Sequence, residues 1–267
     1  MMNKELLNRS LPKNYGLVLL EEVDSTNDYA KRLAKTGGKD RTVVVAMSQT
    51  SGKGRKGRKF QSQKNQGIYM TLLLMPELIP QDATRLTIVA AVALHEAIST
   101  VTGLKCNIKW PNDIVCEDKK LCGILTEMST ENGKVKHLEL GIGVNVYNET
   151  FEGEVDSIAI SITKAMEIQG IKTEAISIEK LIGAILHSYE KYYKMYLKTC
   201  SLSAIKEYYD RYLLNIDRKV TVIEHNGSYE AVAKGIDEDG ELLVERDGRL
   251  IKVMSGEVSI RGVFGYV

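Results

Sequence analysis

The run Gln49-Thr50-Ser51-Gly52-Lys53-Gly54-Arg55-Lys56-Gly57-Arg58-Lys59-Phe60 carries the densest chemistry in this chain. Five cations alternate with three glycines, and no acid interrupts them. Like charges this close repel and resist folding alone. Glycine lets the backbone turn through positive φ and present N–H groups in a concave nest. Arginine forks add bidentate donors for phosphate oxygens. The combination suits an anion that arrives and orders the loop. A P-loop is excluded, because GxxxxGK[ST] is absent. A solvated basic loop or a non-specific nucleic-acid contact is the plain alternative.

Three further stretches could do chemistry. Lys109-Trp110-Pro111-Asn112-Asp113 holds the only tryptophan. Pro111 imposes a stiff break between two strands, which leaves Asn112 and Asp113 at a strand edge. In Lys119-Lys120-Leu121-Cys122-Gly123-Ile124-Leu125-Thr126-Glu127, Lys120 opens an apolar strand. Pointing inward, it would need an anionic partner, since an unpaired buried cation is costly. Pointing outward, it is an ordinary strand-end lysine. In Gly141-Ile142-Gly143-Val144-Asn145-Val146 the glycines permit close backbone approach. HExxH, Gly-x-Ser-x-Gly and GxGxxG do not occur, and His95, His137, His187 and His225 are scattered without a ligand pattern.

The elements that must position these residues follow from periodicity. Apolar residues at helical spacing predict a helix from Thr84 to Val101 and another from Ser177 to Leu197, with Ser177 a good N-cap. A third helix is expected to start near Thr26 or Asn27, behind the cap-type residues Asp24, Ser25 and Thr26, and to end at Gly37-Gly38. Strand-like runs span 42–47, 68–74, 105–109, 113–116, 121–128 and 135–146, with Glu117-Asp118-Lys119 as a hairpin connection. Strands that follow one another directly favour an α+β fold: a mixed or antiparallel sheet with helices on one side. After about Asp217 the texture changes. Short strands at 220–223, 229–235, 242–245, 249–253 and 258–261 alternate with the turn dipeptides Asn226-Gly227, Asp239-Gly240 and Asp247-Gly248. They predict a small β-barrel over 217–267, behind a larger domain over 1–216.

Composition narrows the class. The 267 residues carry 36 Lys and Arg against 35 Asp and Glu, a net charge of +1. That balance speaks against a dedicated nucleic-acid binder. No apolar run is expected to reach the roughly 18–20 residues that span a bilayer. The amino-terminal residues lack the apolar core of a secretory signal. Four cysteines without a CxxC pair fit neither a disulfide framework nor a structural zinc site, and a reducing cytoplasm suits them best.

Taken in order, Asp24-Ser25-Thr26-Asn27, the Gly52–Phe60 loop, Lys109–Asp113, Lys120–Leu125 and Gly141–Val146 resemble the biotin protein ligases over roughly residues 17–262. The resemblance implies a class II synthetase-like catalytic domain followed by an SH3-like barrel. It implies an enzyme that joins biotin to ATP as biotinyl-5′-AMP, with magnesium, and then biotinylates one lysine of a biotin carboxyl carrier domain. By resemblance, Ser25, Thr26, Asn27 and Gln49 would hold the ureido ring. Lys53, Gly54 and Arg55 would close over biotin and the adenylate. Lys120 would meet the biotin carboxylate and the α-phosphate. Arg58, Phe60, Asn112 and Asn145 would serve ATP, and Asp113 would orient the incoming amine. The catalytic set is Arg55, Asp113 and Lys120, and no protein-held metal is expected.

Two departures from the family pattern are expected to weaken ATP or intermediate binding without changing the reaction. Lys53 stands where the family usually has Arg, and Phe60 where it usually has Trp. About twenty residues precede Glu21, too few for a winged-helix DNA-binding domain, so a monofunctional ligase that binds neither DNA nor membrane is expected. The family also allows a homodimer through the sheet. A lipoate–protein ligase of the same fold and a non-catalytic biotin-sensing repressor are the competing readings.

Overall fold

Sheet alternation in β2 (Thr42–Gln49) shows how the layers arise. Val43 and Val45 enter the main core, whereas Val44 turns to the opposite face and packs with Ala30 and Leu73. The computed structural model describes residues 2–172, 176–224, 227–254 and 259–262. Its first sheet has seven strands in the order β1-β2-β3-β7-β6-β5-β4. These are β1 (Gly16–Val23), β2, β3 (Gly67–Leu74), β4 (Asn107–Lys109), β5 (Asp113–Cys116), β6 (Lys119–Glu131) and β7 (Lys134–Asn145). Only the β1–β2 pair is parallel, bridged by helix α2 (Thr26–Lys35); the other five pairs are antiparallel. The expected mixed sheet is therefore present.

A short α1 (Lys4–Ser10) precedes this sheet, and α3 (Pro80–Thr84) leads into α4 (Leu86–Thr102). Then follow α5 (Val155–Ile158), α6 (Ile162–Ile168), α7 (Ile178–Thr199) and α8 (Ser203–Tyr212). The two long helices, α4 and α7, pack together on one face of the sheet, as expected. Ser177 caps α7 by accepting from the Lys180 N–H. On the opposite face α2 packs against the sheet, its Ala30 meeting Val44 and Leu73.

Six elements were not expected from periodicity: α1, β1, α3, α5, α6 and α8. In α8 the spacing is helical, but Tyr208, Tyr209 and Tyr212 read less clearly than aliphatic side chains. The expectation that no apolar run reaches spanning length is also corrected. Pro80–Thr102 passes by length and composition, with a mean hydropathy of 1.2, but 61% of that window is buried inside the protein. It is a core helix enclosed by α7 and the sheet.

Tight turns join the strands. Glu117 and Asp118, both at positive φ, connect β5 to β6 as expected. The carboxyl-terminal strands β8 (Lys219–Glu224), β9 (Gly227–Ile236), β10 (Leu242–Arg246), β11 (Arg249–Val253) and β12 (Ser259–Gly262) form a second, antiparallel sheet in the order β11-β10-β9-β8-β12. Asp247 and Gly248 make the β10–β11 turn. His225, Asn226 and Val258 lie outside the described residues. The two sheets are tied together. Trp110 Nε1 donates to Gly240 O at 2.9 Å, and Asp210 accepts from Ile236 N at 2.9 Å.

Candidate active site

The basic loop folds back on itself. Phe60 N donates to Gly52 O at 2.9 Å, and Gly54 N donates to Arg58 O at 2.7 Å. Lys56 and Gly57, both at positive φ, form its tip. The repulsion anticipated among the five cations is relieved because their side chains splay. Lys53 reaches out to Asp28 of α2, at 2.5 Å. Arg55 turns in and donates to Asn112 Oδ1 at 3.0 Å. Arg58 stays exposed. The ion pair with Asp28 raises the Lys53 pKa above its ordinary value. Burial lowers that of Arg55, against the pull of Asp113 and with the push of Arg58.

The loop, α2, β6 and β7 line a cleft. Ten of the sequence-predicted residues line it: Ser25, Thr26 and Asn27 from the start of α2, then Gln49, Lys53, Gly54, Arg55, Phe60, Asn112 and Lys120. Asp113, Arg58 and Asn145 do not. Two of these three still act on the cleft wall. Asp113 Oδ1 lies 2.7 Å from Lys120 Nζ, so the half-buried lysine has its anionic partner on the adjacent strand. Asn145 is buried and donates to Lys120 O at 3.4 Å and to Ile160 O at 3.2 Å, fixing the strand that carries the lysine.

The glycine motif makes the floor. Strand register aligns Tyr69, Gly143 and Gly123 in one row across the sheet, and Thr71, Gly141 and Leu125 in the next. A Cβ on Gly143 would lie 2.6 Å from the Phe60 ring, and one on Gly141 would lie 2.2 Å from Asn27 Oδ1. Only glycine lets Phe60 and Asn27 rest directly on backbone at these two positions. Phe60 then meets Tyr69 edge-on, with ring centroids 6.3 Å apart.

The polar wall is cross-linked. Gln49 Oε1 accepts from Thr26 N at 2.8 Å and Thr26 Oγ1 at 3.1 Å, while its Nε2 donates to Ser62 Oγ at 2.8 Å. Both ends of the Gln49 amide are thus engaged within the protein. Asn27 Nδ2 donates to Glu127 Oε2 at 2.9 Å, and Asn27 Oδ1 accepts from Thr71 Oγ1 at 2.6 Å. The sequence reading did not single out Thr71 or Glu127. The available signal was the two-residue period of β6, which puts Gly123, Leu125 and Glu127 on one face. Chemically, the cleft brings three cations, Lys53, Arg55 and Lys120, together with a hydrogen-bonding wall and an aromatic face. That suits a small polar ring whose acidic tail meets a phosphate.

Comparison with known proteins agrees with this geometry. Residues 19–145 match the model of the biotin/lipoate A/B protein ligase family, and residues 216–261 match the biotin protein ligase C-terminal domain. The bifunctional ligase/repressor BirA of Bacillus spizizenii is 36% identical over 246 residues, covering 91% of this chain and 74% of that protein. The biotin–[acetyl-CoA-carboxylase] ligase of Paracoccus denitrificans is 27% identical, over 91% of this chain and all of its own length. The structure of biotin protein ligase from Aquifex aeolicus in complex with biotin and ATP superposes with a TM-score of 0.77 at 28% identity, covering 92% of this chain and 99% of that one. With these matches spanning both sheets and with a cleft assembled from the motifs that first suggested the resemblance, the chain belongs to the biotin protein ligases of the biotin/lipoate A/B protein ligase family.

Proposed function

We propose that this protein activates biotin with ATP and then biotinylates a lysine of a carboxylase carrier domain. In the first step a biotin carboxylate oxygen attacks the α-phosphorus. The new O–P bond forms biotinyl-5′-AMP, and the bond to pyrophosphate breaks. In the second step the carrier's lysine amine attacks the acyl carbon, AMP leaves, and the amine proton is lost. The observation that carries this reading is the convergence of Arg55 and Lys120 on one cleft whose wall is Ser25, Thr26 and Asn27.

Two anions must meet in the first step. Lys120 and Arg55 offset their repulsion and stabilise charge that develops in the transition state. Ser25, Thr26 and Asn27 hold the ureido ring, with Gln49 bracing Thr26. Lys53 and Gly54 close over the ring, and Phe60 supplies a face for adenine. Asn112 holds Arg55 in place. Asp113 fixes Lys120 and orients the acceptor amine. Arg58, exposed at the loop, meets the outer phosphates.

Among the described residues no group of three or more His, Cys, Asp or Glu side chains could hold a metal ion. Magnesium, arriving with ATP, would neutralise charge on the leaving pyrophosphate. Residues 1–216 would form the catalytic domain, and 217–267 a support for nucleotide and carrier. The free thiols Cys106, Cys116 and Cys122, all buried, support a reducing cytoplasm. The β1 edge of the first sheet offers the place where two copies would pair. Incubation with ATP, labelled biotin and a carrier domain tests the reading. One biotinyl group added to the carrier supports it, and an unchanged carrier mass with no pyrophosphate released refutes it.

A further inference from the structure

Asn27 can present either end of its amide to the cleft, and the two ends read opposite ligands. Its NH2 would recognise an acceptor, and its carbonyl oxygen would recognise an N–H donor. The side chain lies over Gly141 between two neighbours of fixed character. On one side stand two acceptors: Glu127 Oε2 at 2.9 Å and Leu125 O at 3.3 Å from Nδ2. On the other is the Thr71 hydroxyl, 2.6 Å from Oδ1 and 2.9 Å from Thr26 Oγ1. Turning the amide over would set its oxygen against a carboxylate and a carbonyl, with no proton between them.

We infer that Glu127 is a positioning residue for substrate recognition. It captures the amide nitrogen of Asn27 and so commits Oδ1 to the cleft as an acceptor for a ligand N–H. The inference rests on the ligase reading but adds a residue that does not line the cleft. Thr71 completes the arrangement. The Thr26 hydroxyl donates to Gln49 Oε1, whose amide is itself oriented by Ser62, so Thr71 is left as the donor toward Asn27. Thr26 Oγ1 then remains available as a second acceptor. Two acceptors side by side match a ring with two N–H groups, the donor pattern of a cyclic urea.

Glu127 is itself held in place by the fold. It stands opposite Glu139 across the β6–β7 pair, and Glu139 is buried and bonded to His137 Nδ1 at 2.5 Å. Burial raises the Glu139 pKa, against the pull of His137.

The test is steady-state pyrophosphate release with biotin and ATP varied separately, in wild type, Glu127→Ala, Glu127→Gln, Asn27→Ala and the Glu127→Ala/Asn27→Ala double variant. Glu127→Ala is expected to raise the biotin KM at least tenfold, with kcat and the ATP KM within twofold. Glu127→Gln keeps an acceptor for Asn27 Nδ2 and is expected to stay within threefold of wild type. In the Asn27→Ala background, removing Glu127 should cost nothing further, because the two act as a unit. The inference is overturned if wild type is active yet Glu127→Ala leaves the biotin KM unchanged. It is also overturned if the two losses simply multiply, or if Glu127→Gln is as damaged as Glu127→Ala. A wild-type protein that releases no pyrophosphate overturns the ligase reading itself, which separates the two failures.

Discussion

Lys120 is half-buried, lines the cleft, and has Asp113 2.7 Å away. An opposite charge at that distance supports a cation that desolvation would otherwise disfavour. It also fixes the ammonium where a carboxylate and a phosphate would meet. Lys120→Ala is expected to slow adenylate formation by a factor of about a hundred or more, on the order of 3 kcal/mol of transition-state stabilisation. Pyrophosphate release measures it, and a near-normal rate would remove the lysine from the chemistry. Arg55 has a different task, since it also closes the loop onto Asn112. Arg55→Gly is expected to let the reactive mixed anhydride escape, seen as biotin label on bystander proteins when lysate is added. Label confined to the carrier would contradict a retaining role.

At the scale of elements, the site is a contact between a hairpin and a strand floor. Gly143 is where they touch, with the Phe60 ring occupying the space a Cβ would need. Gly143→Ala must displace that ring or the strand. Overpacking of this kind costs about 1–3 kcal/mol. The expected outcome is a lower urea midpoint together with a raised ATP KM and a nearly unchanged biotin KM, because Asn27 sits one row away. Equal rises in both would mean that the whole hairpin shifts. The hairpin's residue types were legible in the sequence, because cations and glycines at that density have few other uses. Its closed form was not legible. That form depends on Asp28 and Asn112, which arrive from α2 and from the β4–β5 turn and draw two of the cations apart.

Across the whole molecule, the two sheets are linked close to the site. Trp110 follows β4, two residues before Asn112, and reaches the turn between β9 and β10 through Gly240 O. Trp110→Phe would leave that buried carbonyl without its donor, at a cost of about 1–3 kcal/mol. Urea unfolding of the full chain measures the loss. An unchanged midpoint would show that the link contributes nothing to stability.

Through the order of its motifs and their resemblance to a family, the sequence pointed to the activity. It also determined the long helices α4 and α7, most strands of the first sheet, and the change to short strands and turns near Asp217. These are local properties, set by periodicity, caps and turn residues within a few positions of one another. It did not reveal β1, a half-exposed edge strand whose partner β2 lies beyond α2 and whose polar end, Glu21-Glu22, breaks the apolar pattern. Only the tertiary structure decided that Lys120 faces inward, because its counter-charge comes from the adjacent strand. Only the tertiary structure decided that Gln49 and Asn145 use their amides to brace the wall, and that Thr71 and Glu127 orient Asn27. The physical reason is common to all of these. A hydrogen bond or ion pair between residues tens of positions apart is set by strand order and register, which no local pattern in the chain encodes.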